Sequence, residues 1–187
     1  MKLTRAGTHG LRVLLLLGCA SAWADEAPLQ AGWTAREFRY TYQGFTAKYS
    51  CDGLSDRIRE VLLLLGARKQ DLSVASTGCT GGFGRPTLFP GVVVKMSVLA
   101  PLDDKSAPGT PAVAAVWRNV DISRPAPLDA AGDCELTEQI KQAILPLFTT
   151  RNVEYRSTCV PHQLTPGGTT LKADVLVSAP PASAPAP

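Results

Sequence analysis

Beyond Cys19 and His9 in the first 24 residues, four cysteines, Cys51, Cys79, Cys134 and Cys159, and one histidine, His162, are the first residues to consider for redox, metal or nucleophilic chemistry. No two of the cysteines form a Cys-x-x-Cys pair, which argues against a thioredoxin-type role. One histidine and four paired cysteines leave only carboxylates for a metal, and no calcium-loop pattern is present, so no metal ligand is assigned. His162 would need a nucleophile and an orienting group to act as a general base. No Gly-x-Ser-x-Gly or Ser-x-x-Lys signature supplies one, so a structural or surface histidine is the preferred reading. Gly82-Phe83-Gly84-Arg85 is not a dinucleotide fingerprint, because no third glycine or helix follows at the right distance. No catalytic residue and no cofactor are assigned.

The cysteines gain meaning from the stretches that carry them. Cys51–Cys79 reads CDGLSDRIREVLLLLGARKQDLSVASTGC, and Asp133–Cys159 reads DCELTEQIKQAILPLFTTRNVEYRSTC. Each places a cysteine near the start of an amphipathic helix and a second after a Ser-Thr pair that ends a strand. Leu54, Ile58, Val61, Leu62 and Leu65 follow the spacing of one helix face, and so do Leu136, Ile140, Ala143, Ile144 and Leu147. Beyond the second cysteine, Val94-Lys95-Met96-Ser97-Val98-Leu99 resembles Leu171-Lys172-Ala173-Asp174-Val175-Leu176. The chain is therefore expected to use a strand-helix-strand-strand unit twice.

A strand, a helix and a second strand in one sheet make the two strands parallel through a right-handed crossover. The helix start and both strand ends then share one edge of the sheet. Four cysteines allow three pairings, and this geometry selects Cys51–Cys79 and Cys134–Cys159.

The remaining elements follow from periodicity. Phe38, Tyr40 and Tyr42 alternate with Arg39 and Thr41, which predicts a strand from Arg36 that resumes after Gly44 into Ser50. Asp52 is the expected cap of the first helix and Gly66 its terminator. Asp133 is expected to cap the second, and Pro146 to end or kink it. Further strands are expected over 72–77, 92–99, 112–122, 152–160 and 170–177, with a turn at Pro166-Gly167.

Lys2, Arg5 and Arg12, the apolar run Val13–Leu17 and the small-x-small site Ala22-Trp23-Ala24 read as a secretory signal peptide cut after Ala24. Leu16-Leu17-Gly18-Cys19 offers an alternative, a lipoprotein signal with an anchor at Cys19. The full chain carries a formal charge of +3, and the signal holds three basic residues and no acidic one. The mature chain is therefore neutral. It lacks the basic footprint of a nucleic-acid binder and any polybasic membrane patch. No later segment is apolar enough for a transmembrane helix. An even cysteine count in an exported chain reads as disulfides.

The edge that holds the disulfides also collects glycine turns and loops. Thr80, Gly81, Gly82, Gly84, Arg85, His162 and Gln163 form the candidate ligand rim, because free backbone N–H groups at helix starts and glycine turns favour anions. Asp52, Asp133 and Glu135 at the same edge would oppose one. Trp33 and Trp117 read as core rather than as a carbohydrate platform.

At Tyr49-Ser50-Cys51-Asp52-Gly53-Leu54 and Val160-Pro161-His162-Gln163-Leu164-Thr165-Pro166-Gly167 the chain is similar to small exported proteins of Gram-negative bacteria that carry no assigned activity. The resemblance implies a periplasmic setting and no catalytic residue.

These observations predict an α+β fold: two βαββ pseudo-repeats in a mixed sheet, two helices on one face, ferredoxin-like in style, with two disulfides. The expected order is a signal over 1–24, a loose leader over 25–35 and one domain over 36–178. Within the domain the units span 36–100 and 112–178, joined by 101–111, and a disordered Pro/Ala tail covers 179–187. The expected function is a non-enzymatic periplasmic or secreted module that binds an envelope protein or component. The rivals are a hydrolase using His162 and a small-ligand carrier.

Overall fold

Leu54, Ile58, Val61, Leu62 and Leu65 carry the helical stripe, and all five are buried in the computed structural model of the chain. The structure describes residues 27–45, 48–79, 85–103, 109, 111–122, 133–160 and 168–180. The proposed signal, the Pro166-Gly167 turn, most of the tail and most of the 101–111 join lie outside them.

The first helix, α1 (Cys51–Leu64), begins at Ser50, whose hydroxyl accepts from the Gly53 amide at 3.1 Å. Ser50 is therefore the cap, and the expected cap Asp52 sits in the first turn, where its charge suits the helix dipole. Gly66 ends the helix as expected, at φ +93°. Its amide donates to Leu63 O at 3.1 Å and the Ala67 amide to Leu62 O at 2.9 Å, a Schellman closure.

The second helix opens as α2 (Asp133–Gln139), widens to a π turn over Ile140–Ile144 and tightens to a 3₁₀ turn over Leu145–Leu147. Asp133 is its first residue rather than a flanking cap. Pro146 lacks a backbone donor, so α-helical bonding cannot run through it, and the ladder changes register before it stops.

Six strands form one sheet in the order β2-β3-β1-β4-β6-β5. They are β1 (Leu29–Thr41), β2 (Ser73–Thr77), β3 (Gly91–Pro101), β4 (Val113–Asp121), β5 (Thr150–Ser157) and β6 (Thr169–Ser178). Every neighbouring pair is antiparallel, so the expected mixed sheet is corrected. The reason is topological. Each helix does join two parallel strands, β1 to β2 and β4 to β5, but β3 and β6 turn back and fill the gap between them.

Two other boundaries move. β1 starts at Leu29 inside the expected loose leader, because Leu29–Ala31 pairs with Val113–Ala115 of β4 and Ala31 onward with β3. β1 ends at Thr41, and the described residues Tyr42–Phe45, Lys48 and Tyr49 belong to no strand. The expected resumption of the strand shrinks to one bridge, Ser50 to Pro86.

One core cluster joins both helices to one set of strand positions: Tyr40 on β1, Val92, Val94, Met96 and Val98 on β3, and Leu171, Ala173 and Val175 on β6. Burying a side chain of this size contributes about 1.5–3 kcal/mol. A smaller cluster of Ala31, Leu99, Ala115 and Leu176 lies at the β1–β4 seam, with Trp33 and Trp117 packed on it. Trp33 stands opposite Leu99 and Trp117 opposite Leu176. Arg68 covers the Trp33 ring at 5.3 Å and Arg151 the Trp117 ring at 4.4 Å. Both tryptophans are half-buried.

The outer strand β5 breaks register between Arg151 and Glu154. Asn152 takes φ +52° there. Asp174 on β6 holds this bulge. It accepts from Asn152 Nδ2 and from Asn119 Nδ2 on β4, each at 2.8 Å.

Candidate functional site

The disulfides form as the topology requires. Cys51 bonds Cys79 with Cα atoms 5.9 Å apart, and Cys134 bonds Cys159 with Cα atoms 6.1 Å apart. Each ties a helix start to the region just past the end of the strand that follows, β2 or β5. Cys51 is buried, and the Ser76 hydroxyl donates to its carbonyl at 3.3 Å.

The two helix starts are linked through Tyr42, which is 1% exposed. Its ring meets Tyr49 edge-on, centroids 4.9 Å apart, two residues before Cys51. Its hydroxyl donates to Glu135 Oε2 at 3.4 Å, one residue after Cys134. The Phe45 amide donates to the same oxygen at 2.8 Å. One turn along, Gln139 Oε1 accepts from Tyr40 Oη at 3.0 Å and from the Gln43 amide at 3.1 Å, and Gln139 Nε2 donates to Gln43 O at 2.9 Å. Burial disfavours the Tyr40 phenolate, and Tyr42 adds to the effect. Its pKa is pushed above the ordinary tyrosine value, and the phenol stays a donor.

Apolar side chains in the loops beside the two disulfides are open. Phe45 is 73% exposed, Leu88 73%, Phe89 62% and Val160 45%. Leu88 and Phe89 are fixed by their neighbours. The Thr87 amide donates to Tyr49 O at 3.1 Å, its hydroxyl to Gly78 O at 3.3 Å, and the Tyr42 amide donates to Pro90 O at 2.9 Å. Val160 follows Cys159 directly. Among the described residues, the other large exposed hydrophobic is Val153, on the β5 bulge.

No protein-family model, curated protein or solved structure matches the chain. The site is therefore read from its own geometry.

Of the expected rim, Arg85 alone falls among the described residues. It is exposed and sits beside Pro86, the bridge partner of Ser50. Thr80, Gly81, Gly82, Gly84, His162 and Gln163 lie outside the described residues. Among the described residues no cluster of three or more His, Cys, Asp or Glu could hold a metal ion, and no helix is long and apolar enough to cross a membrane.

Sequence reasoning passed over Phe45, Leu88 and Phe89. Their signal was present as large apolar residues inside glycine- and proline-rich loops, where a core role is hard to supply. It also passed over a cleft beyond the C-terminal end of α1, lined by Trp33, Arg68, Lys69 and Arg118 among others. A second cleft lies along β1 and β3 at Arg36, Glu37, Lys95 and Met96. Neither is an enclosed apolar cavity of the kind a carrier would use.

Proposed function

We propose that this is an exported, disulfide-clasped protein of the bacterial envelope that binds another envelope protein through the open apolar loops beside its disulfides. The observation behind the reading is the placement of Phe45, Leu88, Phe89 and Val160. Four large apolar side chains stand open on loops held by disulfide-flanking residues. Apolar surface kept open on a rigid frame marks an interaction site. Two disulfides suit an oxidising compartment, in line with the proposed signal over 1–24.

The frame itself is inferred to be a duplication. The ion pair Lys95–Glu37 between β3 and β1 spans 3.8 Å, and Lys172–Asp121 between β6 and β4 spans 4.0 Å. The two Arg-on-Trp contacts repeat in the same way. Leu54, Ile58 and Leu62 correspond to Leu136, Ile140 and Ile144, all buried. The strand order of one half, β2-β3-β1, is that of the other, β5-β6-β4, about the β1–β4 seam.

The binding reading is tested by placing a photo-crosslinking residue at Leu88 or Phe89 and irradiating intact cells of the native host. A discrete crosslinked species is expected, lost on Phe89→Ser with no change in circular dichroism. Labelling no stronger than from exposed Ser73 overturns the reading.

A further inference from the structure

The last turn of α1 opens on a cleft of about 460 Å³. Its charged lining is Arg68, Lys69 and Arg118, with no carboxylate among the lining residues. Trp33, Leu63 and Val177 supply its apolar wall. Three cations on one hollow stand out in a chain whose mature part is neutral.

The C-terminal end of a helix attracts cations, which would give these side chains a purely structural role. The carbonyl partners limit that role. Gly66 and Ala67 amides take Leu63 O and Leu62 O, and the Leu65 amide takes Val61 O at 2.9 Å. Leu64 O accepts from one terminal nitrogen of Arg118 at 2.8 Å. The helix end is thus closed with one of the five guanidinium N–H donors.

Arg68 is committed differently. It lies over Trp33, 3.4 Å from Asp71 Oδ2, and turning the Gln70 amide over would let its oxygen accept from Arg68 Nε and Nη2 at 2.7 Å each. It fixes the wall rather than offering a free fork. Arg118 and Lys69 have no carboxylate partner among the described residues.

We propose that this cleft binds a small organic anion. Its carboxylate or phosphate group is held by Arg118 and Lys69, and its apolar body lies against the wall of Trp33, Leu63 and Val177. A guanidinium fork matches either oxyanion, and an ammonium adds a point charge beside it. The cleft lies at the other end of α1 from Cys51, so this site stands or falls apart from the apolar loops.

The test is a titration of the ¹⁵N-labelled, oxidised protein with benzoate, inorganic phosphate and, as an uncharged control, benzyl alcohol. Benzoate is expected to give saturable shifts confined to the amides of 66–70 and the Trp33 indole. Phosphate should move the same amides more weakly, and benzyl alcohol should move none. Losing a charge-assisted bond predicts roughly tenfold weaker benzoate binding in Arg118→Gln. Lys69→Gln, at an exposed position that caps nothing, should weaken it roughly threefold. The second variant decides the matter when Arg118→Gln disturbs the helix end. Absence of saturation, an equal response to benzyl alcohol, or wild-type affinity in Lys69→Gln overturns the proposal.

Discussion

The Phe45 backbone amide donates to the Glu135 carboxylate at 2.8 Å, joining the chain after β1 to the start of α2. Phe45 and Glu135 belong to different halves of the molecule. Their bond sets an exposed aromatic side chain beside a helix start that a disulfide already anchors. With Gln139 one turn on, this junction adds a polar link between the halves beside the β1–β4 seam.

Removing the Gln139 amide should therefore cost more than its half-exposed surface suggests. Gln139→Ala leaves the buried Tyr40 hydroxyl without its acceptor, at a cost of about 1–3 kcal/mol. Tyr40→Phe should cost less, and the double variant little more than Gln139→Ala alone. Urea unfolding of the three variants measures this. Additive losses would show that the two groups do not act as a pair.

Non-reducing peptide mapping should return Cys51 with Cys79 and Cys134 with Cys159. Each closes a loop, of sequence separation 28 and 25. Replacing either pair by serine should lower stability by about 3–4 kcal/mol in the chain-entropy account. A peptide linking Cys51 to Cys134 would sink the layout of both halves.

Gly66 tests the closure of α1. An added Cβ would lie 2.8 Å from Val177 Cγ1, on a residue at φ +93°. Gly66→Ala should lose about 2 kcal/mol, since an L side chain in the left-handed region is strained before any clash is counted. It should also shift the cleft amides, which begin at this residue. Unchanged thermal stability would count against the Schellman end.

Asp174 gives a pH dependence with a definite sign. Hydrogen bonds from Asn119 and then Asn152 favour its charged form, with Arg151 adding and burial opposing. Its pKa is lowered from 3.8. The stabilisation is therefore present above pH 3.8 and fades as pH falls through the lower folded value. Asp174→Asn should be less stable than the wild type at pH 7, and the gap should close as the pH drops below 3.8. A gap constant with pH would remove the carboxylate from the account of the β5 bulge.

Much of this fold could be read from residue order, and the limits have physical causes. The stripes Leu54–Leu65 and Leu136–Leu147 announce buried helices because helical period is local. The Ser-Thr ends of β2 and β5 announce the clasps because the crossover geometry is restrictive. The start of β1 was hidden because its reward is long-range: Leu29 pairs with Ala115, far along the chain. The antiparallel order was hidden because parity of direction depends on where β3 and β6 insert. Ser50 displaced Asp52 as cap through a choice between residues two positions apart that both suit the task. The cleft was invisible because Trp33, Lys69 and Arg118 come from three separate segments. Of the residues expected at the rim only Arg85 falls among the described residues, and the open apolar side chains Phe45, Leu88 and Phe89 were overlooked.

The outer strands of the sheet differ in how they end it. β2 is five residues long, and β5 is thrown out of step at Asn152. An unfolded neighbour seeking a template finds too short a ladder on one flank and a broken one on the other. Strand addition by a second copy of the chain is thereby discouraged at both flanks of the sheet.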